Sequence, residues 1–235
     1  MIATIDVADI GVRSTMRSLR RRPGPGDVPG LRWLDVAPAV PLAGKRPPGL
    51  RRAVLLAMWD DEDAAATFTD THPLARRFAD GGFHAVLRPL RAFGSWPGLP
   101  EDVPRNRVTH HEGPVMVATL GRLRLSQTLR FLRASRPAER AAIDADGFLW
   151  GTAAARPPFV ATVSVWSSDD AAAAYAYGDA QAGHPQAIAR QRKKDFHQYS
   201  AFIRYAIVST TGAVSATSPV PDVGRTSRPA GPTSR

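Results

Sequence analysis

The chain predicts an α+β fold in which one strand-helix-strand-strand-helix-strand unit is used twice. Three observations predict it. Gly30-Leu31-Arg32-Trp33 returns as Gly147-Phe148-Leu149-Trp150, with Trp33 and Trp150 117 residues apart. The apolar Ala53–Trp59 with the acidic, Ala-rich Asp60–Phe68 returns as Phe159–Trp166 with Ser167–Tyr177, and here Trp59 and Trp166 are 107 apart. His72-Pro73 returns as His184-Pro185. One shortened connection, Arg32–Arg52 against Leu149–Pro158, accounts for the difference in offset, so the repeat is one of structure. Units of this order are ferredoxin-like, with four antiparallel strands and helices on one face. The other face needs cover, and a second such sheet can supply it. The expectation is therefore two tandem ferredoxin-like halves forming a dimeric-α+β-barrel-like domain in one chain, with two side-by-side domains as the alternative. The halves fall at 1–96 and 114–211, with a linker at 97–113. The tail 212–235 is rich in Pro, Ser, Thr and Gly, and predicts disorder.

Taken in order, Ile2–Ile10 is apolar enough for a first strand. Gly11–Arg22 carries Val12, Met16 and Leu19 at helical spacing and ends on a basic turn before Pro23-Gly24, a helix stop. Gly30–Trp33 opens a second strand, Val40–Leu50 reads as a Pro- and Arg-bearing loop, and Ala53–Trp59 is a third strand. Asp60–Phe68 is a helix with acidic residues in its first turn, and His72-Pro73 begins a short one to about Phe78. After Gly81-Gly82 comes a fourth strand, Phe83–Arg91. In the second half Val115–Leu123 is a strand, and Ser126–Arg133 and Pro137–Ile143 are two helical pieces. Gly147–Trp150 opens a strand and Phe159–Trp166 alternates as a strand with one buried face. Ser167 precedes Asp170 at capping-box spacing. His184-Pro185 signals another helix, since proline suits the first helical position. At about 100° per residue, His184, Ile188, Arg192, Phe196 and Tyr199 would share one face. Ala201–Ser209 is the last strand.

Composition excludes several chemistries. The chain has 235 residues, 43% of them hydrophobic, and no cysteine. Disulfides, iron–sulfur clusters, thiolate haem ligation and zinc–cysteine sites are excluded together. No apolar run approaches the roughly 20 residues of a spanning helix, and the N-terminus lacks the apolar stretch of a secretory signal. A cytoplasmic location, with a peripheral membrane contact allowed by the charge of +10, is the expectation. Arginines are spread along the chain and only Arg20-Arg21-Arg22 clusters tightly, so no specific nucleic-acid motif is indicated. No Ser-His-Asp order, paired-carboxylate signature, phosphate-binding loop or dinucleotide fingerprint is present.

The histidines are the remaining chemistry. On the residues alone His184 reads first as a helix cap or as a histidine hydrogen-bonded at the edge of the core, and second as a candidate metal ligand. His72 is its rival in the first half, crowded by Arg76-Arg77. His110-His111 beside Glu112 reads as a solvated loop, because adjacent residues of an extended segment point to opposite sides. His84 and His197 have no supporting spacing. Trp166 reads first as core.

Ser164-Val165-Trp166, the run Ala174-Tyr175-Ala176-Tyr177-Gly178, Gly183-His184, Ala187-Ile188 and the basic Phe196-bearing stretch resemble the C-terminal half of the spheroidene monooxygenase family, haem-dependent carotenoid oxygenases. The resemblance covers about fifty residues. It implies haem b, with iron held by His184 and the carboxylates neutralised by Arg190, Arg192 and Lys193. Ile188, Phe196, Trp166 and Tyr177 would line the cofactor pocket. It implies a monooxygenase acting on a C–H bond of an apolar, carotenoid-like or secondary-metabolite substrate, with an external electron donor such as a ferredoxin and room for a homo-oligomer. This chain has Asp195-Phe196 where the family tends to carry Trp-Phe, which bears on the substrate. Haem chemistry at an N–O bond, a haem-binding protein without turnover, and a cofactor-free barrel in which His184 is structural are the alternatives.

Overall fold

In a computed structural model eight strands close into one barrel, with the described helices outside. The structure describes residues 1–44, 49–79, 81–106, 109–177 and 196–212, the side chains of Leu129 and Leu132 excepted. The first half comprises β1 (Ile2–Asp9), α1 (Gly11–Arg20), β2 (Leu31–Pro41), β3 (Arg52–Trp59), α2 (Glu62–Thr71), α3 (Pro73–Ala79) and β4 (Phe83–Gly94). The second comprises β5 (Val115–Leu123), a 3-10 turn, α4 (Thr128–Ile143), β6 (Phe148–Arg156), β7 (Phe159–Trp166), α5 (Asp169–Tyr177) and β8 (His197–Thr211). Around the barrel the order is β1-β3-β2-β6-β7-β5-β8-β4. Each half thus contributes an antiparallel ferredoxin-like sheet, and the halves are sealed edge to edge, which leaves no free strand edge. No described helix is long and apolar enough to cross a membrane.

The two seams differ. β4 and β8 pair along their length, from His84 opposite Thr211 to Gly94 opposite Ala201. β2 and β6 pair only where Ala39–Pro41 meets Ala154–Thr152, because β6 ends at Arg156 and turns into β7.

The sequence repeat is also a repeat of contacts. Gly30 and Gly147 both take positive φ, +71° and +80°. An added Cβ would lie 2.5 Å from Ala64 Cβ in one half and 2.6 Å from Ala171 Cβ in the other. The two glycines accept hydrogen bonds from the amides of Asp60 and Ser167, both at 2.8 Å. A bulge follows each, at Leu31/Trp33 and Phe148/Trp150. Glycine is required here because the strand start passes against the helix that follows the next strand.

Three expectations change. Ser126–Arg133 and Pro137–Ile143 form one helix, α4, with Pro137 inside it. Proline there removes one backbone bond, to the carbonyl of Arg133; Arg133 is exposed, so water can satisfy that oxygen. The cap of α5 is Ser168, whose Oγ accepts from the Ala171 amide at 3.1 Å, one residue beyond the expected Ser167. Phe196 and Tyr199 do not continue a helix, because β8 begins at His197. Pairing with β5, where His197 lies opposite Leu123 and Tyr199 opposite Arg122, holds that stretch extended and overrides the helical spacing. The tail 213–235 lies outside the described residues.

Side chains alternate between two layers. Inward residues such as Ile5, Met58, Met116, Leu120, Val163 and Ile203 fill the lumen. The space left is about 10 Å³, beside Met58, Leu87, Met116 and Tyr205, enough for about one water. Outside the first half, Leu55, Trp59, Phe68, Leu74 and Phe78 form a continuous layer under α2 and α3. Outside the second half the described residues form two clusters, one around Trp166 and one around Phe196.

Candidate functional site

The outer layer is where the second half departs from the first. Residues 107 apart occupy equivalent places on β3 and β7. Leu55 and Ala57 are fully covered, at 0% and 1% exposure, whereas their counterparts Thr162 and Ser164 are half-buried. Val117 and Thr119 on β5 and Phe202 on β8 are half-buried too. On β7, therefore, half-buried polar side chains stand where β3 carries covered apolar ones.

Trp166 and Phe196 stand at opposite ends of this face. Trp166 is buried, stacked on Tyr175 with centroids 4.9 Å apart, and its indole N–H donates to Ser164 Oγ at 2.9 Å. It is core on the outer face and does not enter the lumen. Tyr175 donates its hydroxyl to the Ala138 carbonyl at 2.8 Å, and burial, with the charge of Glu139, pushes its pKa up to about 12. Phe196 packs with Leu123 and Val160 and edge-on to Phe131 at 6.1 Å. Tyr177 ends α5 exposed, its hydroxyl accepting from Arg91 at 2.8 Å. His184, Ile188, Arg190, Arg192 and Lys193 lie outside the described residues. The residues flanking their segment, Tyr177 and Phe196, are both on this outer face.

A buried ion pair anchors the α5 side. Arg204 on β8 donates to Asp169 Oδ1 at 2.6 Å, each side chain 7% exposed, and Thr109 donates to Asp169 Oδ2 at 2.5 Å. Arg91, also buried, is the ladder partner of Arg204. Two guanidinium groups thus lie side by side under the start and end of α5.

The described histidines have structural duties. His72 caps α2, stacks on Phe68 at 4.5 Å and accepts the Leu74 amide on Nδ1 at 3.1 Å. Burial first, then the charge of Arg77, lowers its pKa, so the neutral ring that can accept this bond is favoured. His197, which spacing alone overlooked, lies over Gly121: a Cβ there would be 2.6 Å from the ring. The signal was a glycine in mid-strand, which marks a close approach. Among the described residues no cluster of His, Asp and Glu could hold a metal ion, which covers His110-His111-Glu112.

His84 carries a pH dependence. Its Nδ1 is 2.7 Å from Asp6 Oδ1. Burial opposes the charged ring, but the hydrogen bond and charge of Asp6 outweigh it, and the pKa is raised above 6.5. A raised folded-state pKa gives stability that is complete below the unfolded value and is lost as pH climbs through the folded one. Melting temperature is expected to fall as pH rises from 6.5, and His84→Gln should flatten that decline; equal slopes in both proteins would refute the assignment.

A porphyrin does not fit the lumen, whose free space of about 10 Å³ compares with roughly 300–1,000 Å³ for a small-molecule pocket. The outer C-terminal face fits better in chemistry. Its floor is small, and its walls are the aromatic pairs Trp166–Tyr175 and Phe131–Phe196.

No protein-family model matches the chain, and no curated protein matches it. Solved structures do. An aldoxime dehydratase crystallised with butyraldoxime matches with TM-score 0.50 at 9% identity, covering 88% of this chain and 79% of its own. An anthrone oxidase-like protein matches over 92% and 96% of the two chains, with TM-score 0.36 and 14% identity. A heme-degrading enzyme from Listeria monocytogenes covers 86% and 98%, with TM-score 0.30 and 13% identity. The likeness to the dehydratase shows that the fold is shared; at these identities it carries nothing further.

Proposed function

We propose that the chain is a haem-dependent monooxygenase resembling spheroidene monooxygenase, with the haem held against the outer face of the C-terminal sheet. One observation carries the reading. The segment bearing His184 is entered at Tyr177 and left at Phe196, both on the outer side of the C-terminal sheet, where Thr162 and Ser164 are half-buried and their counterparts Leu55 and Ala57 are covered. A filled lumen supports the outer face over the barrel interior. When bound, haem supplies dioxygen activation for oxidation of a C–H bond in an apolar substrate.

The chain's own residues bind and orient. His184 would hold the iron, while Arg190, Arg192 and Lys193 would meet the cofactor's carboxylates through charge-assisted hydrogen bonds. Ile188, with Phe196 and the Trp166–Tyr175 pair, would keep water from the two ends. Tyr177, fixed by Arg91, marks the mouth. Reductant comes from an external donor such as a ferredoxin. Haem chemistry at an N–O bond is the second reading, kept open by Asp195 where the resembled family tends to carry Trp.

Haem titration of the purified chain tests the site. A saturable Soret band is expected at one haem per chain. It should be lost in His184→Ala, weakened about tenfold or more in Thr162→Trp, which fills the floor, and kept in His72→Ala. Absence of the band, or a band indifferent to His184, removes the haem reading.

A further inference from the structure

Helix α4 has two unlike sides. Its inward arc is held by contacts. Phe131 packs with Leu123, Val160 and Phe196, and Ala142 is buried in the Trp166 cluster. The Ala138 carbonyl accepts from Tyr175, and Glu139 accepts from the Ala43 amide at 2.8 Å. At about 100° per residue the other side spans roughly 140°. It carries Arg130, Arg133, Arg136, Arg140 and Ile143, all exposed. Leu125, in the 3-10 turn that leads into α4, is 71% exposed, more than any other large hydrophobic side chain among the described residues. Ile143, at the far end, is 42% exposed.

The outward arc is also one-sided in charge. Among the described residues Arg130, Arg133, Arg136 and Arg140 enter no ion pair. Arg130 lies instead over the Phe196 ring, 5.6 Å from its centroid. The acids of this region are elsewhere: Glu139 faces Ala43, while Asp144 and Asp146 follow the last helical turn. A single exposed leucine is ordinary on a protein surface. Here two exposed apolar side chains bracket an uninterrupted row of cations on a helix of 16 residues, about 24 Å long. Charge and apolar surface together call for a partner that answers both.

We propose that the outward arc of α4, with Leu125 and Ile143, docks on an anionic lipid surface. A helix lying in the plane of a membrane sets its apolar side chains among acyl chains and its cations among headgroups. Arginine stems are long enough to keep the guanidinium at headgroup level, and each cation near an anionic leaflet adds to the attraction. A nucleic acid would answer the charge alone, and the arc exposes no aromatic ring on which bases could stack. An acidic protein would answer it too, but protein partners gain most from side chains seated in pockets. The arc is the convex side of a helix, and a fluid bilayer receives protruding side chains without a matching shape. A bilayer is also where an apolar, carotenoid-like substrate would be found, although the proposal does not rest on the haem reading.

Co-sedimentation of the haem-free full chain with vesicles tests it. Phosphatidylcholine vesicles with about one third phosphatidylglycerol are expected to bind at least about tenfold tighter than phosphatidylcholine alone, and added salt should weaken the binding. Arg133→Gln/Arg136→Gln should lower the affinity about tenfold or more. Leu125→Gln should lower it roughly threefold without changing the salt dependence. Arg13→Gln/Arg17→Gln removes the same charge from exposed positions of α1, the equivalent helix of the first half, and should cost less than about twofold. Leu125→Trp should gain a blue-shifted emission on anionic vesicles relative to the parent, since indole settles at the lipid interface. Far-UV circular dichroism melts establish that each variant is folded; if one is not, the emission shift and the α1 comparison decide. No preference for anionic vesicles, an equal loss from the α1 pair, indifference to both α4 substitutions, or an unshifted emission overturns the proposal. Duplex DNA and polyglutamate are run alongside. Capture by either while vesicles stay unbound would assign the arc to a nucleic acid or an acidic protein, and overturn it too. Because haem is absent throughout, failure here leaves the Soret experiment untouched, and the reverse holds.

Discussion

Asp169→Ala is expected to destabilise the chain by about 3–5 kcal/mol, the range for breaking a buried ion pair on one side. Asp169 accepts from both Arg204 and Thr109, and its loss strands a guanidinium that is 6% exposed. The neighbouring buried Arg91 makes matters worse, since a second cation faces Arg204 across the β4–β8 ladder. The cost thus comes from an uncompensated charge more than from the bond itself. The double variant Asp169→Ala/Arg204→Met should recover most of the loss, because removing both partners leaves no orphan. Urea unfolding at neutral pH reads both effects. A single variant within 1 kcal/mol of the parent would mean that water reaches the pair.

Trp59→Ala should cost a similar 3–5 kcal/mol, the usual range for a large aromatic removed from a core. Trp59 is fully buried, 4.9 Å from Phe68, with its indole N–H donating to Thr4 at 3.0 Å. Its counterpart Trp166 repeats the arrangement with Tyr175 and Ser164. Trp166→Ala should cost less, because its cluster is small and the adjoining face is half-buried. Chemical denaturation of the two variants side by side checks the ranking, and a larger loss at Trp166 would contradict the difference between the two outer layers.

Much of the fold was legible because the repeat sits in residues with strict requirements. Glycine at 30 and 147 is fixed by close approach and positive φ, and tryptophan at 59 and 166 by core volume. These landmarks carry the halves and the closure of the barrel. Strand β7 was read to the residue because Phe159–Trp166 alternates and is bounded by Pro157-Pro158 and Ser167-Ser168. The end of the chain was harder. His184 to Tyr199 can be written on a helical wheel, and only the neighbour β5, distant in sequence, decides that Tyr199 is extended and points to Trp96. The floor of the candidate site was hidden for another reason. Thr162 and Ser164 look like any polar positions on an alternating strand, and acquire meaning only against Leu55 and Ala57. The arginines of α4 stand in plain sight in the sequence, but the side of the helix they occupy is a property of three-dimensional surroundings.

The changes from Leu55 to Thr162 and from Ala57 to Ser164 have a wider consequence. In an assembly of two identical subunits, any substitution appears twice, and a residue that opens one face weakens the other by the same stroke. Joining the copies in a single polypeptide removes that obligation. Here one copy carries covered apolar side chains on its third strand and its twin carries half-buried polar ones, a difference that two identical subunits could not hold.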